Sequence, residues 1–221
     1  MLTLTSLRYR WLKPCSLNLP QGKMIALLGK NGCGKSTLLK CMAGIWTPEG
    51  GDIHWHTQSL LSLPRTELSR ILTYLPQNPA VHFPYSVEEM VAMGRYSHLN
   101  KSCEHVLHTL DLVPLRHRPF HTLSGGEKQR VYIARALATE APIFLLDEPT
   151  NSLDIRHQLE FWQLLRQLAT ESGKTLIVAT HDLIAVSRLF DEVILMHEGS
   201  IAGHGPQKAL LNKKNLDSLF L

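Results

Sequence analysis

The sequence lacks any hydrophobic run of the ~18 to 20 residues needed to cross a bilayer, and its first residues, MLTLTSLRYRWLKP, hold no signal-peptide core. A membrane role would therefore reach this chain through a partner. There is no block of about five or six like charges, and 23 Lys plus Arg against 19 Asp plus Glu leave a formal net charge of only +4, too mild to argue for nucleic acid. Cys15, Cys33, Cys41 and Cys103 form no C-x-x-C pair and have no His-rich ligand spacing beside them, so neither a zinc site nor a disulfide framework is indicated and a reducing cytosol fits best. Internal repeats, low-complexity tracts and linkers long enough to separate independent domains are also missing, so one folding unit over 1–221 is expected. The final stretch HGPQKALLNKKNLDSLFL is too short for an added regulatory domain.

What is present is an ordinary apolar content of 44% and four short apolar runs that read as buried parallel strands: KMIALLG (23–29), ILTYLPQ (71–77), IFLLDE (143–148) and TLIVATH (175–181). The expected fold class is α/β, a largely parallel sheet flanked by helices, with an antiparallel β portion near the N-terminus. Ligands of open α/β sheets collect at the carboxyl ends of the strands, so Gly29, Gln77, Asp147, Glu148 and His181 should converge on one edge. Between Gln77 and Leu123 the pattern changes to short helices. Ser86 with Glu89 makes a capping box before VEEMVAMGRYSH, and Ser102 opens CEHVLHTLDL. This reads as an inserted helical subdomain, 78–123, extending into the helix after Ser124, with 1–77 and 124–221 forming the core.

GKNGCGKST, Gly29 to Thr37, matches G-x-x-x-x-G-K-[ST] between a strand and a helix. Such a loop cradles a nucleoside triphosphate: the Asn31, Gly32, Cys33 and Gly34 backbone approaches the β-phosphate, and the helix N-terminus adds partial positive charge. Lys35 reaches the β and γ oxygens, Ser36 offers its hydroxyl to Mg²⁺, and Thr37 serves the α-phosphate. Cys33 has two readings, a small residue tolerated in the loop or a low-pKa thiol at a helix N-terminus. Asp147 and Glu148, adjacent on a strand and so on opposite faces, are assigned different work. Asp147 joins the Mg²⁺ shell with Ser36, and Gln77 senses the same region. Glu148 orients and deprotonates the attacking water. His181 reads as a satisfied core histidine by itself, but at the shared edge it can hydrogen-bond the γ-phosphate. His54 and His56 in DIHWH sit on one face of a strand, either as two metal ligands without a third or as surface polar residues.

LSGGEKQR poses a second question, because a glycine-rich helix entrance recurs after the P-loop. Ser124 as N-cap and Glu127 as N3 make a capping box, yet that box needs neither Gly125 nor Gly126, each disfavoured in a helix by up to about 1 kcal/mol relative to Ala. LSGGEKQR followed by IFLLDEPTNSLD resembles an ABC-type ATPase subunit. The P-loop (Walker A), Gln77 in LPQN, the signature at 123–127, Walker B at 143–148, Asp154 in NSLD and His181 stand in family order over nearly the whole chain.

The resemblance implies a RecA-like core and a homodimer that sandwiches two ATP molecules head to tail. Ser124, Gly125, Gly126 and Glu127 would face the γ-phosphate held by the other subunit, and Asp154 would couple the two sites. It also implies an aromatic residue stacked on adenine, for which Tyr9 is the candidate and Trp11 the alternative. Lys30 and Glu127 replace a frequent Pro and Gln. The segment FPYSVEEMVAMGRYSHLN is similar to ATPase subunits of importers for iron chelates, haem or cobalamin, with Ser97 where Pro is usual. Such subunits sit at the cytoplasmic face of the membrane, where a permease docks on the helical subdomain near Gln77 and a separate binding protein selects the substrate. Phe83 and Tyr85 are expected to be exposed for docking, and Met90 and Met93 to be subdomain core. The alternatives are an ATPase subunit for another metal ion or for export, or a soluble ABC ATPase, which the single P-loop and the lack of a coiled-coil insertion disfavour.

Overall fold

The computed structural model describes residues 1–77, 83–95, 103–151, 153–213, 215 and 217. In chain order the first half contains β1 (Leu2–Tyr9), β2 (Leu12–Leu19), β3 (Met24–Leu28), α1 (Lys35–Met42), β4 (Gly50–Trp55), β5 (Gln58–Ser59), α2 (Arg65–Ile71), β6 (Leu72–Leu75), α3 (Val87–Ala92) and α4 (Glu104–Thr109). The second half contains α5 (Gly125–Ala138), β7 (Ile143–Asp147), α6 (Ile155–Thr170), β8 (Thr175–Ala179), α7 (Leu183–Leu189), β9 (Glu192–His197), β10 (Ser200–Pro206) and α8 (Gln207–Leu210).

The strands β3, β7 and β8 are buried at every position because both faces of their sheet are covered. Alternate residues go to opposite sides: Met24, Ala26, Leu28, Phe144 and Leu146 join one apolar cluster with residues of α5, α6 and α7. Ile25, Leu27, Ile143 and Leu145 join another with α1 and the N-terminal strands. The sheet order is β10-β9-β3-β8-β7-β6, with every neighbouring pair parallel except the antiparallel β10 and β9. β1 and β2 instead alternate buried and exposed residues, as a strand with one wet face does, in an antiparallel sheet of order β2-β1-β4-β5. The antiparallel sheet is thus layered on the parallel one, across the side that carries α1.

The four expected strands are present, but each stops short of its last expected residue: Gly29, Gln77, Glu148 and His181 lie beyond the strand ends. β9 went unread in the sequence, although EVILMH is an apolar run; it fills the other side of β3. The capping box of Ser86 and Glu89 is formed, yet α3 ends at Ala92 and continues as one tight turn, Met93–Arg95. There Gly94 lies against α5, where an added Cβ would meet the Arg135 carbonyl oxygen at 2.0 Å. α4 follows Cys103; Ser97 and Ser102 lie outside the described residues. Met90 is buried with α5 residues as expected, whereas Met93 is 40% exposed. Phe83 is 64% exposed and touches Tyr85, which is half-buried against the core and so less exposed than expected.

Candidate nucleotide-binding and catalytic site

The loop from Gly29 to Gly34 turns out of β3 and directly into α1. Its glycines have distinct reasons. Gly34 has φ 114°, which L side chains rarely adopt, and a Cβ there would lie 2.9 Å from the Trp11 ring. Gly32, at φ 78°, would meet nothing within 4 Å, leaving bare backbone at the cavity. Gly34 is the N-cap of α1, and no side chain caps the helix. Lys35 is 5% exposed, and its ammonium donates to the carbonyls of Gly29 (2.8 Å) and Lys30 (3.2 Å), so the loop wraps its own cation. Trp11, Asn31, Gly32, Gly34, Lys35, Ser36, Thr37, Gln77 and Glu148 line one open cavity of about 310 Å³.

The two carboxylates at the end of β7 have separate partners. Asp147, the last strand residue, is 3% exposed; it accepts from Ser36 Oγ at 3.0 Å on one oxygen and from the Tyr74 hydroxyl at 3.1 Å on the other. Burial, then the Asp147 charge, pushes the Tyr74 phenol above its ordinary range, so it stays a donor. Glu148 does not face away by strand alternation, as expected. The strand has ended, and Glu148 adopts the left-handed conformation at φ 48°, its N–H donating to Ala179 O at 3.0 Å. Such strain, worth ~1 to 3 kcal/mol, persists where surroundings over-determine it. Its carboxylate meets Gln77 Nε2 at 2.9 Å, His181 Nε2 at 2.9 Å and the Asn151 side-chain amide. Gln77, Glu148 and His181 therefore meet, as their strand ends suggested.

Several expectations change. Tyr9 does not line the cavity; it stacks on Trp46 with centroids 5.3 Å apart and planes 16° apart. Trp11 lines it instead, because a backbone clasp carries the β1–β2 turn to the loop: Lys13 N–H donates to Gly199 O (2.8 Å) and Gly199 N–H to Cys33 O (3.0 Å). The Cys33 thiol is raised, not lowered: burial outweighs the Lys35 charge and the loop N–H groups, which removes the low-pKa reading. His54 and His56 do not share a strand face, since β4 ends at Trp55 and His56 turns at φ 55° into β5. No group of three metal-ligating side chains occurs among the described residues. Tyr74 and Asn151 escaped the sequence reading, although each lies inside a segment already singled out.

α5 begins at Gly125 with its capping box formed: Glu127 N–H donates to Ser124 Oγ (3.3 Å), and Ser124 N–H to Glu127 Oε2 (2.7 Å). Gly125 and Gly126 occupy its first turn. Asp154 caps α6, accepting from the His157 N–H at 3.0 Å. Neither the α5 entrance nor Asp154 contributes to the cavity beside Lys35.

Residues 12–151 match the ABC transporter family model. The hemin import ATP-binding protein of Shewanella denitrificans is 40% identical over 95% of this chain and 87% of its own length. The iron(3+)-hydroxamate import ATP-binding protein of Bacillus subtilis is 34% identical over 93% of this chain and 80% of its own. Among solved structures, a dimeric ATP-binding cassette in a post-hydrolysis state bound to ADP and Pi superposes with TM-score 0.82 at 28% identity, covering 94% of this chain and 99% of the cassette. With the loop, the paired carboxylates and the second glycine-rich entrance described above, these likenesses place the chain in the ABC transporter family, as an ATP-binding cassette with ATPase chemistry.

Proposed function

We propose that the chain is the ATP-hydrolysing subunit of an importer for an iron chelate, haem or cobalamin. The observation that carries the ATP-hydrolysing part of the reading is the clustering of Lys35, Ser36, Gln77 and Glu148 on one cavity, with Asp147 held against Ser36; the importer part is supported by the likeness to hemin and iron(3+)-hydroxamate import subunits. Open backbone at Asn31 and Gly32 and the uncapped N-terminus of α1 suit a triphosphate, with Cys33, Gly34 and Thr37 completing the cradle. The Ser36 hydroxyl and Asp147 carboxylate, hard oxygen donors 3.0 Å apart, fit Mg²⁺, with Gln77 beside them. When bound, Mg²⁺ would neutralise charge on the phosphate oxygens.

Glu148 is the general base: it accepts a proton from the attacking water, oriented by Gln77 and Asn151. His181, 2.9 Å from Glu148, donates to the γ-phosphate as charge develops there. Trp11, not Tyr9, supplies the aromatic face for adenine. Ser124, Gly125, Gly126, Glu127 and Asp154 lie away from this cavity and serve the nucleotide of a second copy, so the working unit is a homodimer closed by two ATP molecules.

The proposed division, 78–123 as helical subdomain and 1–77 with 124–221 as core, is supported among the described residues by α3 and α4. Among the described residues no helix is long and apolar enough to cross a membrane. The likeness to importer subunits supports a peripheral place at the cytoplasmic face, held by a permease that exposed Phe83 helps to dock, with a separate substrate-binding protein upstream. The test is the molar mass of Glu148→Gln by light scattering with and without Mg-ATP, beside Glu148→Gln/Ser124→Arg. ATP should double the mass of the first and leave the second monomeric. A Glu148→Gln chain that binds ATP and stays monomeric would count against the sandwich.

A further inference from the structure

The second signature glycine has a neighbour inside its own subunit. A Cβ built on Gly126 would lie 3.3 Å from His157 Cδ2, 3.4 Å from Cγ and 3.5 Å from Nδ1, so the imidazole rests directly on this bare backbone. The same ring binds Asp154: Nδ1 is 2.8 Å from Oδ2, while the His157 N–H donates to Oδ1 at 3.0 Å. One side chain, in the first turn of α6, therefore touches both the entrance of α5 and the carboxylate that caps α6. A second tie runs beneath it, from buried Gln129 Nε2 of α5 to Pro149 O at 2.6 Å.

Stability alone is a poor account of the pair. The side chains of His157 and Asp154 are 42% and 66% exposed, and exposed ion pairs contribute ~0 to 1 kcal/mol. What the ring does is geometric. It fills the space that Gly126 leaves, at the wall of a groove of about 280 Å³ between α5 and α6 shared with Arg130, Leu153 and Glu160. We propose that His157 is a positioning residue that locks the signature entrance to Asp154, so that the two motifs facing the partner's nucleotide move as one body. The proposal rests on the sandwich reading above. It adds a contact inside the subunit, at 3.3 Å from a Cβ built on Gly126, to any contact that position makes across the dimer.

Two measurements test it. The first is the Mg-ATP concentration that half-converts Glu148→Gln to the doubled mass. His157→Ala in that background should raise it at least tenfold, and His157→Phe, which keeps a ring but no donor for Asp154, should behave likewise. His157→Asn, whose amide can still donate to Asp154, should restore it to within about threefold, while fluorescent-ATP affinity of the single subunit stays constant throughout. An unchanged midpoint in His157→Ala, with the parent dimerising normally, overturns the proposal; a parent that never dimerises overturns the sandwich reading itself. The second is thermal melting. Gly126→Ala should raise the midpoint by roughly 2 to 4 °C in His157→Ala, where helix propensity acts alone, and should not raise it where His157 is present. Equal shifts in the two backgrounds would mean the ring and the glycine are not coupled.

Discussion

At the N-terminus of α1 no side chain caps the helix, whereas at α5 Ser124 and Glu127 cap each other. The glycines differ in the same sense. Gly34 sits at φ 114° against the Trp11 ring, a conformation and a space that exclude other residues. Gly125 and Gly126 sit in regular helix, where Ala is sterically ordinary as far as backbone is concerned. One entrance keeps its N–H groups for an external anion at the cost of its own cap. The other closes a capping box that satisfies the Ser124 and Glu127 N–H groups. On the proposed sandwich reading, the strained and open motif would hold the nucleotide of its own subunit, and the capped one would meet the nucleotide of a second copy.

The sharpest way to break this contrast is Gly34→Ala. Backbone strain of ~1 to 3 kcal/mol and displacement of Trp11 should lower ATP affinity of the isolated chain by tenfold or more, read by fluorescent-nucleotide titration. Ser124→Ala should leave that affinity unchanged. It removes an N-cap, costing about 1 kcal/mol, which thermal melting would show as a drop of roughly 2 to 4 °C, and it should weaken the ATP-dependent mass increase.

A smaller effect separates the entrances by pH. The backbone N–H of Ser124, then its side chain, holds the Glu127 carboxyl below its ordinary value of 4.5. A depressed carboxyl adds stability that is present above its unfolded value and lost as pH falls through the folded one. The stability gap between the parent and Glu127→Gln should therefore narrow below about pH 4, checked by urea midpoints; α1, with no acidic residue in its first turn, offers no such contribution. Least of all should change in Cys33→Ser. With the thiol raised by burial, alkylation should be slow with or without ATP, and ATP affinity should shift less than tenfold, measured by mass spectrometry and titration.

Much of the site was legible because its chemistry demands fixed residue types at fixed spacing. The P-loop, the strand-end carboxylates and the capping boxes are local patterns, and the resemblance joined them. Tyr9 against Trp11 was not legible, since the choice depends on a backbone clasp through Gly199, far along the chain. Tyr74 was hidden inside a strand run, where an aromatic residue reads as core until a neighbouring strand sets Asp147 beside its hydroxyl. Glu148 and Asp147 do have separate partners, but not through strand alternation, because the strand has already ended where Glu148 turns.

The sequence by itself determined the elements whose causes are local: strands from apolar runs, helix starts from Ser86 and Ser124 with their glutamates, and the loop from its glycines. Only the tertiary structure decided which face each long-range partner presents. The pairing of Ser36 and Tyr74 on Asp147, the turn of Glu148 toward Gln77 and His181, and the resting of His157 on Gly126 all join residues from separate elements. Their geometry is set by sheet order and side-chain packing, which no short window of sequence contains.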